Sequence, residues 1–381
     1  MSEGPYILGM ESSCDETAAA IVRAGEELVS SVVASQIATH QRYGGVVPEL
    51  ASREHLRAIL PVVSGALEKA GKTWENIDAL AVTKGPGLAG ALLVGVSFAK
   101  ALAFALDKPL IAVNHLEGHI HAVLLEQRQQ GNHELEFPVL ALVVSGGHTH
   151  LYLAERKGPG WMYRNIGHTR DDAAGEAFDK VAKLLGLGYP GGPVVDTLAK
   201  FGDPRAARFT ISQMKHRDRN DHGPRGDGPR FDFSYSGIKT AVLRYTETHA
   251  MAESIESRRK ALLALESPST ADYKKLCDEE TLNLVASFQR CVVDDLVSKT
   301  LEAAETCGVR TLLVTGGVAA NSELRETFKG RAVEKGLAVY FPSRPLSTDN
   351  AAMIAAAAYP KWLARDFANE ELSAEANLPL R

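Results

Sequence analysis

The sequence predicts an α/β protein built from two domains, and three observations carry that prediction. Short apolar runs typical of buried strands alternate with helical patterns along most of the chain. A strand–turn–strand pattern near the start recurs near the middle of the chain. The length of 381 residues also exceeds what a single hydrophobic core usually serves.

The repeated pattern consists of a buried strand, a small polar turn and a return strand. Its first copy places strands at Tyr6–Glu11 and residues 18–22, and its second copy places them at residues 138–145 and 150–154. We interpret the two copies as a duplicated unit. Coincidence between two short patterns is the alternative.

The remaining elements alternate in the same way on both sides of the second copy. The pattern predicts helices at residues 49–70, 88–106, 172–187, 280–306, 322–335 and 350–364, and strands at residues 77–83, 110–114, 310–315 and 337–341. Strands that alternate with helices are typical of layers packed around a mostly parallel, buried sheet.

The net charge of −5 argues against a protein that coats nucleic acid without help. One segment departs from this acidic balance, since residues 203–230 hold seven Lys and Arg against four Asp. That basic loop is either a solvated surface loop or a contact with an RNA backbone. Residues 252–278 are polar and helix-prone, and we expect them to form a surface excursion.

The cysteines and the N-terminus indicate a cytoplasmic protein. None of the four cysteines forms a C-x-x-C pair, which favours a reducing compartment. The first residues lack the basic and apolar regions of a signal peptide, and no uninterrupted apolar run approaches 18 residues. We therefore expect no membrane span.

Two histidines one helical turn apart suggest a metal site. His115 and His119 follow a predicted strand, and their spacing puts both imidazoles on one face of a helix. A zinc protease would carry its glutamate beside the first histidine, but Leu116 stands there and the acid is Glu117. Asp349, before the last helix, either caps that helix or completes the metal site.

Glycine turns at strand ends suggest binding of a phosphate or a carboxylate. Gly146 and Gly147 follow the second repeated strand, and Gly316 and Gly317 follow the strand at residues 310–315. Glycines in such turns let backbone N–H groups approach an anion closely. A hairpin turn explains the first pair equally well.

These motifs occur in the order found in the TsaD family, which the chain resembles from about residue 7 to residue 359. The resemblance also rests on the segments at residues 10–17, 43–53, 84–88 and 231–240. It implies the two-lobed actin/Hsp70/sugar-kinase fold, in which each lobe is a duplicated ribonuclease-H-like unit. We expect residues 1–115 with 348–381 to form the first lobe and residues 116–347 the second.

The resemblance implies an enzyme that transfers L-threonylcarbamoyl from threonylcarbamoyl-AMP to the exocyclic amine of adenosine 37 in tRNAs that read codons beginning with A. AMP is released in this reaction. The runner-up interpretation is a nucleotide-gated scaffold or ATPase subunit of a complex, which the fold alone permits.

The resemblance also assigns site residues. His115, His119 and Asp349 are the implied ligands of one divalent metal ion, Fe²⁺ or Zn²⁺. The implied contacts to the phosphate and carbamoyl end of the adenylate are Val143, Val144, Ser145, Gly146 and Gly147. The implied contacts on the adenosine side are Asp179, Gly192, Asp196 and Asn321.

An adenosine amine is a poor nucleophile, so a general base would help as it loses its proton. We take Asp15 or Glu16 as the candidate base, and the alternative is that these acids only order their turn. The partners implied by the resemblance are tRNA, threonylcarbamoyl-adenylate from a TsaC-type synthase, a TsaB-type subunit and a TsaE-type ATPase.

Overall fold

The computed structural model describes residues 4–133, 135–158, 160–211, 231–265 and 268–381. Within these ranges ten strands form two five-stranded sheets. The strands are β1 (Tyr6–Glu11), β2 (Glu16–Arg23), β3 (Glu27–Ser35), β4 (Ala79–Gly85), β5 (Leu110–Asn114), β6 (Val139–Val144), β7 (Thr149–Lys157), β8 (Gly160–His168), β9 (Thr311–Thr315) and β10 (Ala338–Tyr340).

The helices within the same ranges connect and cover these sheets. They are α1 (Ile37–Gln41), α2 (Pro48–Ala70), α3 (Ala89–Leu106), α4 (His115–Gln129), α5 (Ala174–Leu184), α6 (Gly191–Leu198), α7 (Ser236–Thr248), α8 (Ala252–Leu263), α9 (Thr270–Leu276), α10 (Glu279–Cys307), α11 (Ser322–Glu334), α12 (Arg344–Ser347) and α13 (Ala351–Ala364). Three 3₁₀ turns lie at Trp74–Asn76, Ala199–Phe201 and Gly317–Ala320.

The two sheets share one topology, which confirms the predicted α/β class and the duplication. The first sheet has the order β3-β2-β1-β4-β5 and the second the order β10-β9-β6-β7-β8, which is the same order viewed from the other edge. In both, the first three strands pair antiparallel and the last two join in parallel. Each sheet with its covering helices forms one lobe.

The first lobe packs helices on both faces of its sheet because successive side chains of a strand point to opposite faces. Leu8 of β1 belongs to the apolar cluster with α2 and α3, whereas its neighbour Ile7 belongs to the cluster with α13. Helix α13 is rich in alanine and lies very close to β1. A Cβ on Gly9 would lie 2.5 Å from the Ala351 carbonyl oxygen.

The second lobe buries α5, α7 and α10 against one face of its sheet. Its other face packs against α4 through Leu116, Ile120 and Val123, together with Leu380 from the C-terminal tail. The opposite side of α4 contributes Ala122 and Leu125 to the first lobe. Helix α4 therefore lies between the two sheets, and the lobe boundaries given above stay a prediction.

The polar segment at residues 252–278 forms α8 and α9 in its described part, and it is anchored to the second lobe. The guanidinium of Arg258 is buried and donates to the carbonyl oxygens of Leu185 and Leu276 and to the hydroxyl of Thr281. Of the basic loop at residues 203–230, the part from 212 onwards lies outside the described residues.

Two strands were absent from the sequence prediction, and one helix begins later than predicted. β3 and β8 are the outer strands of the two sheets, and their partly exposed sequences lack a strong apolar run. Helix α5 begins at Ala174 rather than at residue 172, because Asp171 instead accepts hydrogen bonds from the backbone at the start of α7.

Helix α3 is long and apolar enough to cross a membrane by length and composition. A helix that buries one face in a protein core passes the same test. Here Val96, Ala99 and Ala103 are buried against the first sheet and α2, so α3 is part of a layered α/β core.

Candidate active site and metal centre

A cleft between the two lobes brings the candidate motifs together. Its walls begin where parallel strands end, after β1, β4 and β5 in the first lobe and after β6 and β9 in the second. Open α/β sheets bind ligands at these carboxyl ends, because the loops that follow the strands converge there. The cavity has a volume of about 1080 Å³, at the upper end of the range for small-molecule sites.

His115, His119 and Asp349 converge at one end of this cleft. The Nε2 atoms of His115 and His119 lie 3.6 Å and 3.2 Å from Oδ1 of Asp349, and one ligand atom from each residue fits within 4.8 Å of the others. The structure therefore brings the three side chains close enough to share one ion, and their role as metal ligands stays a prediction. Both imidazoles are buried, and the carboxylate of Asp349 is partly open to the cleft.

Helix packing explains how residues 230 positions apart in the chain meet. His115 begins α4, where the side chain of Asn114 caps the helix, and His119 lies one turn further on. Asp349 precedes α13, which packs along α4. The contact is close because Gly118 faces α13, where a Cβ would lie 2.9 Å from Cδ1 of Ile354.

The donor set fits a divalent cation. Both ring nitrogens of His119 are buried without a well-formed hydrogen bond to any described residue, although Nε2 contacts Asp349 at 3.2 Å. Two imidazoles and one carboxylate are typical ligands of Fe²⁺ and Zn²⁺. A cation bound beside Asp349 would give a partner to Nε2 of His119, the ring nitrogen that faces that carboxylate.

The carboxylates and the imidazoles at this centre stabilise each other's charged forms. Burial lowers the pKa of His115, but the carboxylates of Asp349 and Glu11 outweigh burial and raise the pKa to about 9. Burial raises the pKa of Asp349, but His115 and His119 hold that pKa well below its usual range. Burial lowers the pKa of His119, which keeps that imidazole neutral and able to donate a lone pair.

The glycine turn after β6 lies on the cleft, but the two valines before it do not. Ser145, Gly146 and Gly147 line the cavity. Val143 and Val144 are fully buried on opposite faces of the sheet, in two different apolar clusters. Their side chains pack in the core on either side of the strand, so the part of the predicted contact segment that lines the cavity is its last three residues. The contact of the whole segment with the adenylate stays a prediction.

All four residues assigned to the adenosine side line the cleft. Asp179 on α5 accepts a hydrogen bond from the backbone N–H of Gly191 at 2.7 Å, and this bond fixes the turn that contains Gly192. Burial raises the pKa of Asp179 to about 6, although the backbone N–H groups of Gly191 and Gly192 oppose that change.

Asp196 and Asn321 hold the start of α11 beside the cleft. Oδ1 of Asp196 accepts from the backbone N–H and the hydroxyl of Ser322 at 3.0 and 2.7 Å. Asn321 caps α11 through Leu324 and donates to Gln289 at 2.8 Å. The preceding turn is tight, because Gly316 has a φ of +95° and a Cβ there would lie 2.3 Å from the Val144 carbonyl oxygen.

Asp15 and Glu16 face the cleft from the first lobe, at the turn between β1 and β2. The hydroxyl of Tyr189 in the second lobe donates to Oδ2 of Asp15 at 3.3 Å. Burial and the charges of Asp15 and Asp349 raise the pKa of Glu16 to about 9. The raised pKa favours the protonated form of Glu16, which makes Glu16 the weaker candidate for the base.

Three functional contacts were missed by the sequence analysis. Glu11 accepts from the His115 ring, Tyr189 bridges the lobes to Asp15, and Lys183 donates to the carbonyl oxygens of Tyr43 and Gly44 across the cleft. Of these contacts, only that of Glu11 could have been predicted from the sequence. Glu11 ends a buried strand, and a buried carboxylate needs hydrogen-bonding partners.

The chain is similar over most of its length to proteins that share one description. The profile of the TsaD family, described as tRNA N6-adenosine threonylcarbamoyltransferase, matches residues 27–356. A protein of that name from Koribacter versatilis (strain Ellin345) is 73% identical over 376 residues, which are 98% of this chain and 99% of the relative. One from Syntrophobacter fumaroxidans (strain DSM 10017 / MPOB) is 50% identical over 370 residues, with 97% and 98% covered.

Solved structures support the two-lobed fold. The chain resembles T. kodakarensis HypF with a TM-score of 0.56 at 14% identity, over 98% of this chain and 50% of that protein. Full-length HypF in its phosphate- and nucleotide-bound form gives a TM-score of 0.55 at 13% identity, over 94% of this chain and 47% of that protein. At such identities the resemblance concerns the fold alone.

Proposed function

This chain belongs to the TsaD family of tRNA N6-adenosine threonylcarbamoyltransferases, and we propose that it carries out the transfer in the cleft between its two lobes. It is a transferase that moves L-threonylcarbamoyl from threonylcarbamoyl-AMP to the exocyclic amine of a tRNA adenosine and releases AMP. The observation that carries the placement is the convergence of the two histidines, Asp349 and the glycine turn after β6 in one cavity.

The donor adenylate is proposed to lie across the cleft. Its adenosine faces Asp179, Gly192, Asp196 and Asn321, which share one wall in the second lobe. Its phosphate and carbamoyl end faces the turn from Ser145 to Gly147, where backbone N–H groups can donate to oxygens that gain charge. The cavity exceeds what a single small ligand needs, which leaves room for the acceptor adenosine.

The metal would be held by His115, His119 and Asp349. A divalent cation there supplies electrostatic stabilisation of charge that develops on oxygens of the donor. The ligand set suits Fe²⁺ and Zn²⁺, and we propose Fe²⁺ with Zn²⁺ as the alternative.

Asp15 is proposed as the general base. The amine nitrogen forms a bond to the carbamoyl carbon, the bond from that carbon to the phosphate oxygen breaks, and AMP leaves with the electron pair. Asp15 accepts the proton that the amine loses. Tyr189 orients the carboxylate of Asp15, and the protonated Glu16 supplies no second negative charge beside it.

A protease reaction lacks its base in this geometry. Glu117, the acid between the two histidines, does not belong to the described lining of the cleft, and its Oε2 lies 3.9 Å from the amine of Lys361. Burial raises the pKa of Glu117 and favours its neutral form, against the opposite effect of Lys361. A nucleotide-gated scaffold is supported by the fold only, and the named relatives are transferases.

We propose that the protein works in the cytoplasm with a TsaB-type subunit and a TsaE-type ATPase, and that a TsaC-type synthase supplies the adenylate. Helices α2 and α3 offer a docking surface, because Leu56, Leu60 and Leu93 are more than half exposed on them. The two helices are in close contact, since a Cβ on Gly90 of α3 would lie 2.4 Å from the hydroxyl of Ser52 on α2.

The test is reconstitution with purified threonylcarbamoyl-adenylate, tRNA and the partner subunits. The protein should form threonylcarbamoyladenosine, and the His115→Ala/His119→Ala double variant should lose both the bound metal and product formation. Product formation at the normal rate by the double variant would exclude the metal role. ATP turnover without any product from the wild type would favour the scaffold instead.

A further inference from the structure

Glu11 is a buried carboxylate that the transfer reaction does not use directly. It is the last residue of β1, and its side chain has no exposed surface. A charge in such a place is costly unless it is well hydrogen-bonded. Glu11 accepts from the backbone N–H of Ser13, from the hydroxyl of Thr83 at 2.7 Å and from the His115 ring at 3.1 Å.

The contact with His115 determines which ring nitrogen carries hydrogen. Oε2 of Glu11 lies 3.1 Å from Nδ1, so a lone pair on Nδ1 would face a negatively charged oxygen. A hydrogen on Nδ1 replaces that repulsion by a charge-assisted hydrogen bond. The hydroxyl of Ser13, at 3.2 Å from the same nitrogen, can share this hydrogen as a second acceptor.

The opposite ring nitrogen then faces the candidate metal centre. Nε2 of His115 lies 3.6 Å from Oδ1 of Asp349, on the side of the ring away from Glu11. With hydrogen on Nδ1, Nε2 is the ring nitrogen directed towards the place that a cation would occupy, and a cation there would displace any hydrogen that Nε2 carries in the protonated ring. His119 differs, because its Nδ1 has no hydrogen-bond partner among the described residues.

We propose that Glu11 is a positioning residue of the metal centre, which holds the Nδ1–H of His115 so that Nε2 is oriented and available to the cation. The inference rests on the proposed metal site. It adds an outer carboxylate that fixes one histidine and not the other. The arrangement of carboxylate, imidazole and metal is one that proteins use to orient a ligand and raise its basicity.

Zn²⁺ affinity tests this role without relying on enzyme activity. Glu11→Gln keeps the volume of the side chain but removes its charge, and it can turn an N–H₂ group towards the ring. We expect Zn²⁺ affinity to fall by about 10- to 100-fold in competition with a chromophoric chelator. The matched control is Glu117→Gln, which changes a largely buried glutamate on α4 that lies near Lys361 and should keep wild-type affinity.

A second measurement on the Zn²⁺-loaded wild-type protein avoids any folding defect of the variant. Nitrogen chemical shifts of the imidazoles should show His115 bound through Nε2 with hydrogen on Nδ1. Binding through Nδ1 would overturn the proposal, as would wild-type Zn²⁺ affinity in Glu11→Gln. If the His115→Ala/His119→Ala variant still binds stoichiometric Zn²⁺, these histidines are not the metal ligands. That result would overturn the proposed metal site, and with it the role of Glu11.

Discussion

The phenol of Tyr189 donates a hydrogen bond to the carboxylate of Asp15 across the cleft, with 3.3 Å between Oη and Oδ2. Tyr189 belongs to the turn before α6 in the second lobe, and Asp15 to the turn after β1 in the first. Burial and the charge of Asp15 raise the pKa of Tyr189, so the phenol remains a donor throughout the physiological range. This bond joins the two lobes at the proposed base.

Removing that hydroxyl should slow the transfer more than it destabilises the fold. Tyr189→Phe deletes one hydrogen bond worth about 1 kcal/mol, which corresponds to a rate change of roughly 5- to 10-fold if the bond orients Asp15. Single-turnover rates at saturating adenylate would measure the loss. Tyr245→Phe, whose hydroxyl faces Glu280 outside the cleft, is the control and should react normally. Equal rates in both variants would remove the orienting role.

Glu16 should make the metal-free protein less stable as the pH rises. Its pKa is about 9 in the folded protein against an ordinary 4.5, so the unfolded chain releases this proton first. Below pH 4.5 both states are protonated and the group has no effect; between that pH and about 9 the folded state progressively loses stability. The loss in the free energy of unfolding between pH 5 and pH 8 is at most on the order of 4 kcal/mol.

Glu16→Gln removes this penalty, because glutamine imitates the protonated acid at every pH. The variant and the wild type should have similar Tm at pH 4.5, and the variant should gain stability relative to the wild type as the pH rises to 8. Thermal unfolding of the metal-free proteins measures the difference. Glu68→Gln on the exposed side of α2 serves as the control. A Tm difference that is constant with pH would contradict the raised pKa.

Local patterns predicted the α/β class, which the structure confirms, and they placed His115 and His119 one helical turn apart. Asp349 was assigned to the metal site through the family resemblance, because no local pattern links residues so far apart in the chain. Strand ends are marked by glycines or histidines, and parallel topology brings those ends together. The sequence could not reveal Tyr189 as the partner of Asp15, because that contact depends on how the lobes approach each other. Nor could it show that Val143 and Val144 face away from the cleft, since a strand buried on both faces has no polar alternation.

The exposed leucines of α2 should be needed for assembly and not for folding. Leu56 and Leu60 are 66% and 58% exposed, so replacing both by aspartate puts charges on a surface that is already in contact with water. Binding to the TsaB-type subunit, measured by calorimetry, should be lost while Tm changes little. The same change at Val333 of α11, which is 77% exposed, should leave binding intact. Unchanged binding of the Leu56→Asp/Leu60→Asp variant would show that the interface lies elsewhere on the protein.

Gly118 should control metal affinity through the distance between two helices. A Cβ at this position would lie 2.9 Å from Cδ1 of Ile354 and 3.2 Å from Cγ of Met353. Both side chains are fully buried, so Gly118→Ala must make them repack or, where they cannot, push α4 and α13 apart by a few tenths of an ångström. His119 follows Gly118 on α4, and Asp349 immediately precedes α13, so the same movement separates the ligands.

We expect Zn²⁺ affinity to fall several-fold in Gly118→Ala, and further in Gly118→Val because its branched side chain needs more space. The folded state should be affected less in the alanine variant, since alanine favours a helix over glycine by about 1 kcal/mol and offsets part of the strain. Gly330→Ala on α11 is the matched control, because a Cβ there meets no atom within 4 Å. It should gain stability and keep its Zn²⁺ affinity. If both Gly118 variants bind Zn²⁺ as the wild type does, helix spacing does not set the geometry of the metal centre.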